Sequence, residues 1–182
     1  LLINIEKLVK QQLIDPVDFQ QLPLLPTHAV DYEAVRQFKL PLLKKSYRIY
    51  KKQSDPLQRK RFKAFCRRNA FWIDDYALFM ALKDIHEGAP WVKWGTAIRK
   101  RESEALSHWR RGLVNEINYY KYEQYIFFRQ WYALKKYCHR AGVKLMGDIP
   151  IYVSLDSADV WAHQELFNLD DEGHAVAVAG VP

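Results

Sequence analysis

The sequence predicts an α/β protein that is rich in helix. An amphipathic pattern over residues 117–141 predicts a long helix, and Gly142 directly after it is a typical helix terminator. The following run, residues 144–153, is predominantly apolar and predicts a buried strand, so that helix, tight turn and strand form one α/β repeat. Asp148 lies inside this run, and a charge on a buried strand requires a specific role.

Helical patterns fill most of the chain before this strand. We therefore expect residues 1–143 to form a mainly helical subdomain with helices that flank the sheet. Residues 144–182 would supply the strand and the loop after it, where functional side chains gather in α/β repeats. The long helix carries an apolar stripe at spacings of three and four, from Ile117 through Phe127, Trp131 and Leu134, and this face is expected to cover the sheet.

Local signals set the expected helix ends. A helix over residues 5–14 should stop at Asp15-Pro16, because the residue before proline is disfavoured in a helix. The next helix should open near Asp31, a typical N-cap, and continue to about residue 52 with a kink or break at Pro41. Ser54-Asp55-Pro56 then starts a long helix through residue 83, which should end before Gly88. A short helix is expected around residues 101–111.

Composition limits the class of protein. The chain has 182 residues, 49% of them hydrophobic, which suits one domain or part of a larger one. Cys66 and Cys138 lie in helical patterns rich in aromatic residues, which favours reduced thiols over a disulfide framework. No apolar run approaches the about 18 residues of a membrane span, and no basic start precedes an apolar segment, so we expect a cytoplasmic protein without a membrane partner.

The net charge of +7 leaves a basic helical nucleic-acid-binding protein as an alternative, because clustered Lys and Arg release counterions from phosphates. Four basic runs lie within or beside helical patterns, namely Arg59-Lys-Arg61, Arg67-Arg68, Arg99-Lys-Arg101 and Arg110-Arg111. Such charges commonly form the solvated face of a helix. Since no nucleic-acid motif accompanies the runs, we favour solvated faces and expect no nucleic-acid partner.

Two further clusters have simpler explanations than function. Asp74 and Asp75 could be catalytic carboxylates, but adjacent helical side chains point about 100° apart and cannot face one reacting bond. Capping, or pairing with nearby Arg67 or Arg68, would suffice for them. Trp91 and Trp94 could stack on sugar rings if they were exposed, but packing against a neighbouring helix is the commoner use of so large a side chain.

The sequence gives no indication of a metal or cofactor. It contains no Gly-rich phosphate loop, no nucleophile elbow and no pair of histidines at metal-ligand spacing. The six scattered histidines are expected on the surface or in ordinary packing: His28, His86, His108, His139, His163 and His174. Asp170-Asp-Glu-Gly173 resembles part of a calcium loop but lacks the alternating ligands, so a polar turn is the better interpretation.

Motifs in the last third of the chain are its most specific feature. They are Met146-Gly-Asp-Ile-Pro-Ile-Tyr-Val153, Asp156-Ser-Ala-Asp-Val-Trp-Ala162, Glu165-Leu-Phe167, Leu169-Asp170 and Val178-Ala-Gly-Val-Pro182. Earlier parts of the pattern are Phe71-Trp-Ile-Asp-Asp-Tyr-Ala-Leu-Phe79, Pro90-Trp91, Trp94, Val30-Asp-Tyr32 and Lys39. Together they resemble amylomaltases, the 4-α-glucanotransferases of glycoside hydrolase family 77, over nearly the whole chain.

The resemblance implies a fold and an activity. The fold would be a TIM (β/α)₈ barrel with large helical insertions, of which this chain forms a partial barrel inside one larger catalytic domain. The activity would be transfer of a segment of an α-1,4-glucan or maltooligosaccharide to an acceptor sugar by a retaining double displacement, without a cofactor. A non-catalytic glucan-binding scaffold, with Trp91 and Trp94 exposed, is the remaining alternative.

The resemblance also implies that the catalytic carboxylates lie outside this chain. The family's nucleophile follows an Arg-x-Asp-His-type pattern, and no arginine here is followed two places later by Asp. We therefore expect a central piece of a longer enzyme, inactive and poorly stable alone. Asp148 matches an aspartate at the carboxyl end of a barrel strand, Tyr152 could approach the glucan, and Pro182 begins a substrate loop. Ser157 and Asp159 should cap the following helix.

Overall fold

The computed structural model describes residues 1–19, 26 and 28–177 of the chain. The helices are α1 Ile5–Lys10, α2 Pro16–Phe19, α3 Tyr32–Gln53, α4 Pro56–Arg68, α5 Ala70–Ile85, α6 Thr96–Arg99, α7 Ser103–Gly112, α8 Val114–Arg140 and α9 Ala158–Ala162. Two 3₁₀ turns complete the described elements: Trp91–Lys93 lies between α5 and α6, and Gln164–Leu166 comes after α9. The helix-rich character is therefore confirmed. Across the described ranges, no helix is long and apolar enough to cross a membrane.

The beginning of α3 follows the sequence expectation. Asp31 is the N-cap, and its carboxylate accepts the backbone N–H of Ala34 at 2.9 Å, which satisfies one of the free amides of the first turn. The expected break at Pro41 does not occur, since α3 is continuous through it. Leu42, Leu43 and other side chains just after Pro41 are buried, and this packing offsets the missing backbone hydrogen bond.

Two other helix ends differ from expectation. The first helix ends at Lys10, before a turn in which Gln12 has φ 58°, and Pro16 then opens α2. The long helix expected from Pro56 is interrupted at Asn69, whose φ of −109° and ψ of 13° separate α4 from α5. The end of α5 before Gly88, which has φ +81°, agrees with the sequence expectation.

The end of α8 is a Schellman motif. Gly142 has φ +71°, the N–H of Val143 donates to the carbonyl of Cys138 at 2.8 Å, and the N–H of Gly142 donates to that of His139 at 3.2 Å. Both bonds satisfy carbonyls that the helix end leaves free, and the left-handed backbone favours glycine. The predicted terminator is thereby confirmed, and α8 itself begins already at Val114.

Residues 144–153 do not form the expected buried strand. Their side chains are exposed, with Met146 at 99%, Ile149 at 84% and Ile151 at 87%. A strand needs a neighbour to pair its backbone N–H and C=O groups. In the described part of the chain the only β-pairing is an isolated antiparallel bridge between Leu169 and Ala175. The structure therefore does not confirm a barrel, and the stripe of α8 has no sheet to cover there.

The chain divides into two compact units, and the first comprises Leu1–Arg68 and Tyr122–Leu145. Its core is aromatic: the ring of Tyr122 lies 4.9 Å from that of Tyr50 and 5.4 Å from that of Tyr47. The buried side of this part of α8 is formed by Tyr122, Tyr125 and Ile126, whereas Leu134 of the expected stripe is 46% exposed. Neither Cys66 nor Cys138 forms a disulfide, as expected.

A hydrogen bond joins two hydroxyl groups inside this aromatic core. The Ser46 and Tyr122 oxygens are 2.7 Å apart, and neither residue is exposed. Burial raises the pKa of Tyr122, and burial together with the nearby Tyr125 raises that of Tyr50 to about 12. Both phenols are therefore neutral hydrogen-bonding groups at ordinary pH.

The second unit comprises Asn69–Lys121 and Met146–Pro182. Its core packs the apolar face of α5 against two indoles, and the ring of Phe79 lies 5.4 Å from Trp94 and 5.8 Å from Trp161. Trp91 and Trp161 are fully buried and Trp94 is 3% exposed. Each indole N–H donates to a backbone carbonyl, at Leu155, Ala89 or Ile98. Packing of Trp91 and Trp94 is confirmed.

Candidate functional site

Asp148 lies in the candidate segment, residues 144–153, which is exposed and lies between the end of α8 and the turn that precedes α9. Its carboxylate accepts the N–H of the next residue, Ile149, at 2.8 Å. That bond is local, and Asp148 itself is exposed. Asp148 is thus a carboxylate available to a ligand or to another side chain.

Tyr152 borders a groove of about 500 Å³. The ring is 74% exposed, and the groove is also lined by Leu155, Phe167, Asn168 and Ala175 among others. An exposed phenol beside an amide can stack on a sugar ring and hydrogen-bond its hydroxyls. Asp148 does not line this groove. Pro182 lies outside the described residues.

Lys83 and Trp91 hold the turn that follows the candidate segment, a role that the sequence did not indicate for either residue. Lys83 Nζ donates to Asp156 Oδ2 at 2.7 Å, and the backbone N–H of Trp91 donates to Asp156 Oδ1 at 3.2 Å. Trp91 Nε1 also donates to the carbonyl of Leu155 at 2.7 Å. These partners are 64 to 73 positions apart in sequence, so no local pattern could have indicated them.

The start of α9 confirms one of the two residues that the sequence predicts as caps. Ser157 is the N-cap, with its hydroxyl accepting the N–H of Val160 at 3.3 Å. Asp159 lies in the first helical turn, where a negative charge is favourable. Ser157 thus caps the helix that follows, and Asp159 adds a favourable charge to its first turn.

Residues 170–175 form the polar turn expected from the sequence. Asp170 accepts the backbone N–H groups of Glu172 at 2.9 Å and His174 at 2.8 Å. The hydrogen bond from the His174 backbone is the main cause that lowers the pKa of Asp170. Among the described residues, no group of three or more His, Cys, Asp or Glu side chains is arranged to hold a metal ion.

The acidic pair of α5 forms ion pairs, as expected, but with other partners. Asp75 accepts from Arg101 at 2.9 Å and from Arg110 at 3.3 Å, while Asp74 pairs with Lys121. The two carboxylates thus have separate partners, in line with their directions on the helix. Pairing with Arg67 or Arg68 was the wrong expectation, because the actual partners lie 26 to 47 positions later in the chain.

Arg101 is part of the second unit's core. Its guanidinium lies 4.3 Å from the centroid of the Trp161 ring and its side chain is 19% exposed. A guanidinium over an indole face is an attractive arrangement. In the basic runs, the half-buried Arg101 and the exposed Arg110 are therefore both engaged in ion pairs with Asp75, and this accounts for part of the positive charge.

Comparisons with known proteins define the class of this chain. The family model described as glycoside hydrolase family 77, 4-alpha-glucanotransferase, matches residues 1–182. The chain therefore belongs to glycoside hydrolase family 77. A 4-alpha-glucanotransferase of Thermus thermophilus is 46% identical over 160 residues, which are 88% of this chain and 32% of that protein. One of Synechocystis is 38% identical over 182 residues, all of this chain and 36% of that protein.

The fold of this chain is also similar to that of a solved structure. An amylomaltase from Streptococcus agalactiae, in complex with acarbose, superposes with a TM-score of 0.92 and 34% identity. The alignment covers all of this chain and 36% of that one. The chain thus spans about a third of the length of the relatives that it matches.

Proposed function

We propose that this chain is part of a 4-alpha-glucanotransferase, which transfers a segment of an α-1,4-glucan to an acceptor sugar. The observation that carries the proposal is the family match, which extends over all 182 residues. Substrates of this class are α-1,4-glucans and maltooligosaccharides. The similarity to an amylomaltase whose structure contains acarbose supports sugar binding by the same fold.

The reaction proceeds in two displacements. A carboxylate attacks the anomeric carbon, the glycosidic bond breaks, and a carboxylic acid protonates the departing sugar oxygen. In the second step a hydroxyl of the acceptor sugar loses its proton to the same acid–base residue and displaces the carboxylate, so the configuration is retained. The nucleophile and the acid–base residue are proposed to come from parts of a longer protein, since this chain lacks the motifs that carry them.

The partial TIM barrel belongs to this proposal. Residues 144–153 are apolar, exposed and without a strand partner in the described part of the chain, as expected for a strand whose neighbours lie elsewhere in a longer protein. We propose that these neighbours complete a sheet around the segment. In this proposal residues 1–143 form the mainly helical part of one catalytic domain, and residues 144–182 supply a barrel strand and the loop after it.

Within that barrel, Asp148 and Tyr152 would lie near the end of their strand, where active sites of such barrels are built. Asp148 would accept hydrogen bonds from sugar hydroxyls or from a catalytic partner, and Tyr152 would contact the glucan. Pro182 would begin a substrate loop.

The proposed location of this chain is the cytoplasm. A 4-alpha-glucanotransferase from rice, which is similar to this chain, is chloroplastic/amyloplastic by its name.

The experiment is to express the complete coding region that contains this chain and to measure glucose release from maltotriose. We expect release by the complete protein and none by the 182 residues alone. The variant Asp148→Asn should lower kcat/KM by about 10-fold or more, a loss on the scale of a missing transition-state contact. Asp159→Asn, on the helix after the segment, is the matched control and should retain activity.

The contrary results are equally definite. If the complete protein releases no glucose from maltotriose or longer maltooligosaccharides, the proposed activity is wrong. If Asp148→Asn matches the control, the aspartate has no part in the reaction. A salt-dependent submicromolar affinity for nucleic acid would instead favour the alternative suggested by the positive charge. The alternative of a non-catalytic glucan-binding scaffold requires Trp91 and Trp94 to be exposed, and the burial of both argues against it.

A further inference from the structure

We propose that Lys83 is a positioning residue for the transferase reaction, because it holds the turn that follows the segment with Asp148 and Tyr152. This inference rests on the proposed function. It concerns a residue on α5 that lies in no motif of the candidate segment, and whose role follows from its contacts.

The ammonium group of Lys83 is saturated with acceptors. Its Nζ donates to the carbonyl of Gly88 at 2.6 Å, to that of Ala89 at 3.1 Å and to Asp156 Oδ2 at 2.7 Å. An ammonium group has three N–H donors, so all of them are used. The side chain is 17% exposed, whereas a lysine that only solubilises a surface keeps its charged end in water.

Asp156 receives a second bond that fixes its orientation. While one oxygen accepts from Lys83, the other accepts the backbone N–H of Trp91. Trp91 is fully buried and its indole N–H donates to the carbonyl of Leu155. Leu155 and Asp156 are thus joined by three hydrogen bonds to a lysine and a tryptophan in the core of the second unit.

This anchor matters because the segment before it has little to hold it. Ile149 and Ile151 are exposed, and the Asp148 carboxylate accepts a hydrogen bond from its own neighbour, Ile149. Asp156 is the first residue after the segment whose side chain carries an ion pair in the described ranges. The position of the segment's carboxyl end therefore depends on the Lys83–Asp156 pair.

The expected consequence is catalytic. A displacement of about 1 Å in a group that supports the reaction centre can reduce the rate by about 100-fold, without loss of the fold. Glucan contacts supplied by other parts of the protein would be unchanged. Loss of Lys83 should therefore lower kcat more than it raises KM.

The test uses the complete enzyme and steady-state kinetics with maltotriose. Lys83→Met keeps the aliphatic stem and removes the charge, Lys83→Arg keeps the charge, and Lys93→Met alters an exposed lysine in the same unit as a control. The kcat is expressed per folded molecule, with the folded fraction taken from near-ultraviolet circular dichroism. We expect kcat to fall about 10-fold or more in Lys83→Met with KM within about 2-fold. The fall should be smaller in Lys83→Arg and absent in the control.

A double-mutant cycle separates positioning from general destabilisation. Asp156→Asn removes the ion pair but keeps an oxygen for the Trp91 N–H, so it should also lower kcat. Because both changes break one interaction, the double variant with Lys83→Met should be little worse than Lys83→Met alone. Independent structural defects would multiply instead, and that result would overturn the proposal.

Other outcomes are equally decisive. If folded Lys83→Met retains kcat within 2-fold of the original enzyme, the positioning role is wrong while the transferase activity stands. If Lys83→Met does not fold, Asp156→Asn carries the test, and its full activity would refute the proposal. If the unaltered enzyme itself fails to act on maltotriose and longer maltooligosaccharides, the proposed function fails first and the positioning role with it.

Discussion

Gly173 lies against the ring of Trp91 so closely that no side chain fits between them. A Cβ atom on Gly173 would be 2.5 Å from Trp91 Cη2 and 2.7 Å from Cζ3. The glycine also has φ +85°, a conformation that other residues adopt at a cost. The polar turn and the buried indole are therefore fitted to each other. Trp91 in turn holds Leu155 through its indole N–H and Asp156 through its backbone N–H.

Gly173→Ala is expected to destabilise the second unit by about 2–4 kcal/mol, the sum of a strained backbone and a steric clash in the core. Chemical unfolding followed by circular dichroism measures the loss. Gly112→Ala is the matched control, because nothing lies within 4 Å of its added methyl group and alanine is the better helix former. Equal stability of the two variants would contradict the prediction, because it would show that the turn can move away from the Trp91 ring without cost.

Asp75→Asn should destabilise the second unit by about 1–2 kcal/mol, because it leaves the half-buried guanidinium of Arg101 without its charged partner. The control is Asp18→Asn, which removes a carboxylate of equal exposure from a pair with the more exposed Lys45. Its effect should stay below about 1 kcal/mol. Thermal unfolding midpoints compare the two, and a larger loss for Asp18→Asn would contradict the prediction.

Ser46→Ala is expected to destabilise the first unit by about 1–3 kcal/mol, since it leaves the buried Tyr122 hydroxyl without its partner. Tyr122→Phe should have a smaller effect, because a serine hydroxyl inside a helix can bond to a carbonyl of the preceding turn. Denaturant unfolding of both variants and of the double variant measures the coupling. The double variant should lose less than the sum of the single changes, and strict additivity would mean that the bond adds no stability.

The pKa of Asp170 should lie below the ordinary value for aspartate, mainly because the backbone N–H of His174 donates to the carboxylate. A lowered pKa in the folded state means that the charged form stabilises the turn. This contribution is complete above the ordinary pKa of about 3.9 and is lost as the pH falls through the lowered value. Nuclear magnetic resonance of the carboxyl carbon follows the titration.

His174→Ala is the control for this titration, because it removes the imidazole and keeps the backbone donor. The pKa of Asp170 should stay low in this variant. An ordinary pKa in the unaltered protein, or a return to the ordinary value in His174→Ala, would contradict the assigned cause.

Short-range chemistry made part of the fold predictable. Asp31 and Ser157 were expected to cap helices, and Gly142 to end one, and the structure confirms each of them. In every case the donor and acceptor lie within five residues of each other along the chain, so the sequence contains the whole interaction. The same holds for the polar turn after Asp170.

Interactions between distant segments could not be predicted from the sequence. Asp75 was expected to pair with a nearby arginine, yet its partner Arg101 is 26 positions away. The strand over residues 144–153 was expected from its apolar pattern, but a strand forms only when another strand pairs with it. At the candidate site, Asp148 stands out as a charge within the predicted strand, and the family resemblance indicates both Asp148 and Tyr152. The Lys83–Asp156 pair joins residues 73 positions apart, so no local pattern indicates it.

The buried indoles allow the second unit to be followed separately by tryptophan fluorescence. Of the six tryptophans, Trp131 belongs to the first unit, and the other five belong to the second. Trp91, Trp94 and Trp161 are shielded from water, so their fluorescence emission should shift to longer wavelength when their surroundings open. Tryptophan emission therefore reports mainly on the unit that anchors the candidate segment, while the tyrosine-rich core of the first unit requires a different probe.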